Sequence, residues 1–401
     1  MTSGLRITTI ISAALSFLIF LFIVFPQHDS LFPLPRSNLA DDPFGPLRFH
    51  EDGAFHISIL GDLHFGENAW EPWGPQQDLA SIKVIETVLD AEPSTSLVVL
   101  NGDLITGENT FLENSTHYLD RIVSPIIQRN LTWASTYGNH DSDFNLSSSA
   151  LFSREKRYRN SRTAQMVSSP KEEAGITNYF LPVYPSSGPA DIPLLMLYFF
   201  DSRGGFSFQD RTGLQNWVHP TVVEWFRRTS SSYSHVPSLA FVHIPPNATL
   251  ALQDEGIHPH RHPGINQDVP ISQQGQGWCP DGTEGCAYGR QDVPFMEALA
   301  ETRGLMAVFF GHDHGDTWCK KWANGVNLCF GQHTGYGGYG RWVRGARQIA
   351  VSVDGLTERA IDTWIRLETG KVVGKVRLND SYGGDWYEKV EDERTCLDCH
   401  Q

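Results

Sequence analysis

The chain has 401 residues, 40% of them hydrophobic and 11% aromatic, which is enough to bury a large core. Its 31 lysines and arginines stand against 46 aspartates and glutamates, giving a net charge of −15. This charge argues against a surface that neutralises a phosphate backbone, so we expect no nucleic-acid binding.

The first predicted element is an apolar run over residues 7–25, preceded by Arg6. It is apolar on every face and long enough to cross a bilayer as a helix. Because no small-residue cleavage site follows, we expect an uncleaved signal-anchor within residues 1–28, with Arg6 in the cytosol. The folded domain would then be lumenal or extracellular, in the secretory pathway, the vacuole or at the cell surface. If the run is cleaved, the protein is secreted. Five acceptor patterns for N-glycosylation agree with either outcome: Asn114, Asn130, Asn145, Asn247 and Asn379.

A proline-rich linker over residues 29–50 separates this run from the folded domain, which we place at residues 51–380, before an acidic tail at 381–401. The chain contains six cysteines, and their spacing groups them into neighbouring pairs. In an oxidising compartment such pairs predict local disulfides. The expected pairs are Cys279 with Cys286, Cys319 with Cys329, and Cys396 with Cys399.

Six apolar runs in the folded domain predict buried strands: FHISIL, SLVVL, TWASTY, PLLMLYFF, SLAFVHI and LMAVFF. Two of the intervening segments have apolar residues at helical spacing, namely Leu79, Ile82, Ile85, Val88 and Leu89 in one, and Tyr118, Ile122, Ile126 and Ile127 in the other. This alternation predicts an α/β domain. From Trp318 to about Val376, strand-like runs without convincing helices predict an added set of antiparallel strands.

Polar side chains follow five of the predicted strands: Asp62, His64, Asp103, Asn139, His140, Asp141, His243, His312 and His314. Taken singly, each is more often a cap, turn or loop residue. As a set they should converge, because the carboxyl ends of strands in an open α/β sheet face the ligand crevice. Carboxylates and imidazoles suit divalent or trivalent metals, and one aspartate can bridge two ions about 3.5–4 Å apart. The pattern therefore predicts a two-metal hydrolase.

In this order, the blocks D-x-H, GD, GNHD, a lone histidine and GHxH resemble the calcineurin-like metallophosphoesterase superfamily over roughly residues 55–316. The resemblance implies a four-layer α/β/β/α sandwich of two mixed sheets, with the late strand-rich region as the second sheet. It implies two metal ions, of iron, zinc or manganese, with their identity left open. The implied ligands are Asp62, His64 and His314 for one ion, Asn139, His243 and His312 for the other, and Asp103 as the bridge.

The same resemblance implies roles beyond the metal ligands. His140 would contact the phosphate and assist the leaving group, and Asp141 would orient it. The chain departs from the purple acid phosphatase branch at Thr106, where that branch has a tyrosine, and at His64, which its first block lacks. We therefore expect no purple colour. The chain is more similar to the fungal and plant phosphatases labelled probable purple acid phosphatases that lack this tyrosine.

The implied reaction is hydrolysis of phosphate monoesters, phosphoproteins included, by attack of a metal-bridging hydroxide without a covalent phosphoenzyme. A phosphodiesterase acting on nucleotides or lipid head groups, and a metal-dependent binding protein without turnover, are the alternatives. The expected partner is a phosphorylated small molecule or protein; the oligomeric state stays open.

Several loop residues have less certain roles. Arg203 and His333 are candidate substrate contacts, although a structural role fits each equally well. The loop at residues 266–291 is expected to select monoester or diester. GYGGYG, residues 335–340, predicts a flexible loop at the rim of the site, and the histidines of HPHRHP, residues 258–263, predict a solvent loop.

Overall fold

The computed structural model describes residues 44–268, 275–278 and 287–395. In chain order its strands are β1 (Leu47–Arg48), β2 (Ala54–Leu60), β3 (Leu97–Asn101), β4 (Trp133–Thr136), β5 (Tyr179–Tyr184), β6 (Leu195–Phe200), β7 (Ser238–Val242), β8 (Leu305–Phe310), β9 (Cys319–Lys321), β10 (Asn327–Phe330), β11 (Gly345–Ser352), β12 (Ile361–Leu367) and β13 (Val372–Leu378). The helices are α1 (Gly74–Ala91), α2 (Tyr118–Gln128), α3 (Ser148–Glu155), α4 (Pro220–Ser232), α5 (Ala248–Asp254), α6 (Val293–Glu301) and α7 (Val353–Thr357). Each of the six predicted apolar runs contains a strand, so that prediction is confirmed.

The strands form two mixed sheets. One has the order β1-β5-β6-β7-β8-β10-β9, and the other has the order β13-β12-β11-β2-β3-β4. Strands β2, β3 and β4 run parallel in the second sheet, and β6, β7 and β8 run parallel in the first. Each sheet therefore presents the carboxyl ends of several strands at one edge, where ligands bind in α/β folds.

The late strand-rich region does not make up the second sheet, so that prediction is wrong. Strand β10 pairs with β8 and carries β9 at the edge of the seven-stranded sheet. Strands β11 to β13 extend the other sheet, because β11 pairs antiparallel with β2, with Ile349 opposite Ile57. Ile349 thereby joins the core between the sheets, and burial of such a side chain stabilises the fold by about 1.5–3 kcal/mol.

Apolar packing joins four layers. Ile57 and Val99 of the six-stranded sheet share one core with Phe241 and Phe309 of the seven-stranded sheet. On its other face, the six-stranded sheet packs against α1 and α2. On the other face of the seven-stranded sheet, the Phe200 ring lies 4.9 Å from that of Phe226 in α4 and 4.9 Å from that of Phe295 in α6. The order helix, sheet, sheet, helix agrees with the sandwich implied by the resemblance.

The predicted apolar stripes are correct only in part. Val88 and Leu89 of α1 are buried, but Leu79 is 55% exposed, and the buried face begins instead at Asp78. Asp78 accepts a hydrogen bond from the backbone N–H of Gly66, which explains how a carboxylate occupies that face. In α2, Ile127 is likewise exposed. Hydrophobicity alone therefore misplaced the end of each stripe.

Cys319 and Cys329 form a disulfide that joins β9 to β10, as predicted. The pairs Cys279–Cys286 and Cys396–Cys399 lie outside the described residues. So do the predicted signal-anchor and most of the linker. Within the described part of the chain, no helix has the length and apolar character needed to cross a membrane.

The chain beyond residue 380 packs back onto the body as far as it is described. Backbone N–H groups of Val343 and Thr395 donate to the carbonyls of Glu393 and Arg341, respectively. The imidazole of His260 stacks on Trp386 with ring centroids 4.3 Å apart. HPHRHP is a largely exposed loop, as predicted, and it also contacts part of the tail.

Candidate metal centre

Side chains at the ends of β2, β3, β4 and β8 converge on one cavity of about 520 Å³. His64, Asp103, His140, His312 and His314 line this cavity. Asp62 and His243 are buried beside them. Five segments that are distant in sequence thus meet at one edge of the two sheets.

The carboxylates and imidazoles form two groups, one of Asp62, His64 and His314 and the other of Asp103, His243 and His312. In one group, Nε2 of His314 lies 3.2 Å from Nε2 of His64 and 3.7 Å from Oδ1 of Asp62. In the other, Asp103, His243 and His312 offer ligand atoms within 4.8 Å of one another. Oδ2 of Asp103 lies 3.0 Å from Nε2 of His243 and 3.7 Å from Nε2 of His64, so Asp103 reaches both groups.

Oxygen atoms behind the imidazoles fix their orientation. Nδ1 of His64 lies 3.0 Å from Oγ1 of Thr106, and Nδ1 of His243 lies 3.0 Å from the Asn101 carbonyl. Nδ1 of His314 lies 2.9 Å from the Tyr339 carbonyl. A carbonyl oxygen can only accept, so Nδ1–H of His243 and Nδ1–H of His314 donate to Asn101 and Tyr339, which leaves Nε2 of each ring for contacts within the site.

These residues fit two metal ions. Nε2 of His64 and Nε2 of His314 lie 3.2 Å apart, close enough for one metal ion to contact both. Oδ1 of Asn139 is buried and has no hydrogen-bond partner among the described residues. Imidazole, carboxylate and amide oxygen without thiolate are the donors of zinc, iron and manganese sites rather than of a cysteine zinc knot.

The backbone is strained at four of the polar positions. Asp62, His64, Asp103 and His312 have φ values of 54°, 47°, 49° and 75°. This left-handed conformation costs a non-glycine residue on the order of 1–3 kcal/mol and concentrates at functional sites. Gly102 has φ +87°, and a Cβ there would lie 2.3 Å from Nδ1 of His243, so only glycine fits beside that imidazole.

Burial and neighbouring charges shift the pKa values of the proposed ligands in both directions. Burial opposes protonation of His243, but Asp103 raises its pKa to about 9. Burial lowers the pKa of His64 to about 4 and holds the pKa of His314 well below its usual value, so both imidazoles are neutral. Burial alone would raise the pKa of Asp103, but His243 and His140 hold it well below its usual range. Burial raises the pKa of Asp62 to about 7, against the opposing effect of His243. A metal ion would lower that value further, because it stabilises the carboxylate.

His140 lies at the mouth of the centre and is held by two carboxylates. Its Nδ1 lies 2.9 Å from Oε1 of Glu108, and its backbone N–H donates to Oδ1 of Asp103 at 2.9 Å. Burial opposes protonation of the imidazole, but Glu108 and then Asp103 raise the pKa of His140 to about 10. His140 is therefore an imidazolium at neutral pH, and its free Nε2–H can donate to a bound anion.

The sequence predicted that Asp141 orients the imidazole of His140, but in the structure Glu108 does so. Asp141 is fully buried, and its carboxylate accepts from the backbone N–H groups of Gly138, Leu104 and Ile105. It thus shapes the two loops rather than orienting the imidazole. A carboxylate five residues after Asp103, in the loop that follows β3, was the available signal for Glu108.

The two candidate substrate contacts lie outside the cavity lining. The guanidinium of Arg203 donates to the carbonyls of Trp217 and Glu173, so its donors are used within the fold. His333 is 2% exposed, and its ring packs 3.8 Å from that of His314. Both residues therefore support the structure around the site, and we do not retain them as substrate contacts.

Part of the cavity wall comes from loops that sequence reasoning could not assign. GYGGYG does reach the rim, where the Tyr339 ring stacks on that of His314 at 4.0 Å. The Tyr339 phenol hydrogen-bonds to Asp268 from the loop predicted to select the ester. Glu67 and Asp313 also line the wall, and Asp313 stands within the GHDH motif itself.

The chain is similar to several known proteins. The calcineurin-like phosphoesterase family model matches residues 55–316. Probable inactive purple acid phosphatase 28 of Arabidopsis thaliana is 27% identical over 376 residues, which cover 86% of each chain. Phosphatase DCR2 of Saccharomyces cerevisiae is 26% identical over 344 residues, covering 80% of this chain and 55% of its own. The structure of a dimetal phosphatase from Danio rerio aligns with a TM-score of 0.49 at 12% identity, over 81% of this chain and 98% of that one.

Proposed function

Because this chain belongs to the calcineurin-like phosphoesterase family, we propose that it is a two-metal phosphatase that hydrolyses phosphate monoesters. The observation that supports this most strongly is the meeting of two ligand groups at Asp103, with His140 beside them. The word inactive in the name of the plant relative describes that protein. Here every position of the family pattern carries a metal-binding side chain, which favours turnover.

The proposed ligands are divided as the resemblance implies. Asp62, His64 and His314 would hold one ion, while Asn139, His243 and His312 would hold the other. Asp103 would contact both. Bound metal ions supply a Lewis acid for the phosphoryl oxygens and a nucleophile generated from water at neutral pH.

The chain's own groups supply the proton chemistry. Nε2–H of His140 donates to a phosphoryl oxygen, and its proton then passes to the oxygen of the departing alcohol. Glu108 accepts from Nδ1 at 2.9 Å, which holds the ring in position and stabilises its positive charge. General acid catalysis of this kind contributes a factor on the order of 10² to 10⁴.

We also propose a membrane-anchored protein with its catalytic domain in the lumen or outside the cell. The apolar run at residues 7–25 and the Cys319–Cys329 disulfide support this location, since disulfides persist in oxidising compartments. Protease treatment of sealed microsomes containing the full chain should leave the domain protected until detergent is added. Digestion without detergent would contradict the orientation.

The functional proposal is tested with the full chain, a chromogenic phosphate monoester and its matched diester. We expect monoester turnover that falls with a chelator and returns with zinc, iron or manganese. Faster turnover of the diester would establish the phosphodiesterase alternative. No turnover of either ester, in protein that holds two metal ions, would contradict the proposal and favour a binding protein.

A further inference from the structure

Tyr339 differs in chemistry from the other residues that line the cavity. Among the described residues it is the one phenylalanine, tyrosine or tryptophan in the lining, which otherwise consists of imidazoles, carboxylates, a threonine, an asparagine and a glycine. The proposed metal and proton chemistry makes no use of a phenol ring. Cavities that bind small molecules use aromatic side chains to contact the apolar part of the ligand. Tyr339 is therefore a candidate contact for the alcohol part of the substrate.

Hydrogen bonds fix the Tyr339 ring in one position. Its backbone carbonyl accepts from Nδ1–H of His314 at 2.9 Å, and its phenol oxygen accepts from the backbone N–H of His314 at 3.1 Å. The phenol O–H in turn donates to the carboxylate of Asp268. A ring held in this way loses little conformational freedom when a ligand binds, so more of the contact energy contributes to affinity.

One face of the Tyr339 ring is covered, and the other is open. The covered face stacks on the imidazole of His314, with ring centroids 4.0 Å apart and planes 12° from parallel. The loop comes this close because Gly338 has no side chain; a Cβ there would lie 2.5 Å from Cε1 of His314. Tyr339 is nevertheless 47% exposed, and it lines the cavity. The exposed surface is therefore the opposite face and the edge of the ring.

The position of this open face favours a short aromatic ester. The face lies one stacked ring away from His314, which the proposed function assigns to a metal ion. An aromatic ring joined to the ester oxygen directly, or through one carbon, is therefore close to Tyr339 when the phosphate is at the metal centre. Offset stacking of two aromatic rings contributes a factor of about 2 to 10 in affinity beyond the burial of their surface, which a saturated ring of the same size does not gain.

We propose that the substrate is a small phosphate ester whose alcohol part carries an aromatic ring at or next to the ester oxygen, as in phenyl phosphate and benzyl phosphate. This ring stacks on the open face of Tyr339. The cavity of about 520 Å³ has room for a molecule of that size. The inference rests on the proposed function, since it names the substrate class of the same site.

Calorimetric titration of the metal-loaded full chain with two phosphonates tests the inference through binding alone. Benzylphosphonate and cyclohexylmethylphosphonate carry the same charge and rings of similar size, but only the first ring is aromatic. Neither is hydrolysed, because carbon replaces the ester oxygen. We expect benzylphosphonate to bind about 3-fold or more tightly than the saturated compound. Equal dissociation constants, tighter binding of the saturated compound, or no binding of benzylphosphonate would overturn the inference.

Substitutions of Tyr339 locate the preference on its ring. Tyr339→Leu should bring the ratio of the two dissociation constants close to one, whereas Tyr339→Phe keeps the ring and should keep the native ratio. Trp386→Leu is the matched control and should also keep it, because Trp386 stacks on the imidazole of His260 but does not line the cavity. A full preference in Tyr339→Leu, or its loss in Tyr339→Phe, would reject the role given to the ring. The comparison in the native chain decides the inference even where Tyr339→Leu does not fold.

Turnover of the corresponding esters separates the two proposals. Benzyl phosphate and cyclohexylmethyl phosphate both release a primary alcohol, so a difference in kcat/KM between them reports recognition of the ring. Hydrolysis of both at equal kcat/KM, with equal binding of the phosphonates, rejects the inference and leaves the phosphatase proposal intact. Tighter binding of benzylphosphonate without hydrolysis of either ester, in protein that holds two metal ions, rejects the phosphatase proposal and supports a binding site for aromatic phosphates.

Discussion

Nδ1 of His64 lies 3.0 Å from Oγ1 of Thr106. These are the two positions at which the sequence departs from the purple acid phosphatase branch, and the structure joins them in one hydrogen bond. The threonine orients the additional imidazole, whose Nε2 then faces the metal centre. The two departures therefore form one hydrogen-bonded unit.

Replacing Thr106 with valine should weaken metal binding by a factor of about 10 to 100, as the loss of a partner behind a ligand typically does. Valine keeps the shape of threonine but cannot accept from Nδ1 of His64. Competition with a chromophoric chelator measures the affinity. Thr106→Ser retains the hydroxyl and should bind metal as the native chain does; equal weakening in both variants would show that packing, not the hydrogen bond, matters.

Replacing Glu108 with glutamine should slow turnover and move the basic limb of kcat/KM to lower pH. Glu108 raises the pKa of His140, so the imidazolium is present below that pKa and is lost as pH rises through about 10. Removing the carboxylate lowers the pKa, and protonation is lost earlier. We expect turnover near neutral pH to fall by a factor of about 10 to 100, within the range of general acid effects.

A pH–rate profile of Glu108→Gln with measured metal content checks this prediction. Metal content should match that of the native chain, because Glu108 is not among the proposed ligands. Glu71→Gln, an exposed change elsewhere, serves as control. An unchanged basic limb would contradict the pairing of Glu108 with His140.

Replacing Gly102 with alanine should abolish metal binding. The backbone there has φ +87°, and the new Cβ would lie 2.3 Å from Nδ1 of His243, which must then move. Gly370 also has positive φ, at +82°, but nothing lies within 4 Å of a Cβ built there. Gly370→Ala therefore controls for backbone strain, and metal analysis of both purified variants should show loss only in Gly102→Ala.

Replacing Glu155 with alanine should lower the free energy of unfolding by roughly 3 kcal/mol or more. This buried carboxylate accepts hydrogen bonds from Trp133 Nε1 at 2.7 Å, Tyr137 Oη at 2.7 Å and Thr163 Oγ1 at 2.6 Å. Each donor left without a partner costs about 1–3 kcal/mol. Urea denaturation measures the change, and the exposed Glu224→Ala should stay within about 0.5 kcal/mol of the native chain.

Sequence patterns revealed the parts of the site that follow strands directly. Apolar runs such as LMAVFF form buried strands. The residue after such a strand lies at the edge of the sheet, and this does not depend on how the rest of the chain folds. His312 and His314 were therefore accessible from sequence. The pairing of β11 with β2 could not be predicted from the sequence, because pairing between strands about 290 residues apart depends on the whole fold.

Part of the cavity lining could not be predicted for a related reason. Asp268 and Tyr339 come from irregular loops 71 residues apart, and neither has a periodic pattern. Asp313 is part of the GHDH motif, but whether its side chain faces the cavity or the core depends on the turn at His312, which has φ 75°. Backbone conformations of this kind are set by tertiary contacts rather than by local preference.

The number of metal ions per chain tests the central claim most directly. Mass spectrometry of metals in the purified full chain, with protein concentration from amino-acid analysis, measures it. We predict close to two zinc, iron or manganese ions per chain, falling below one in Asp103→Ala, because Asp103 belongs to one group and lies 3.7 Å from His64 of the other. A native chain that binds no metal after incubation with these ions would contradict the account.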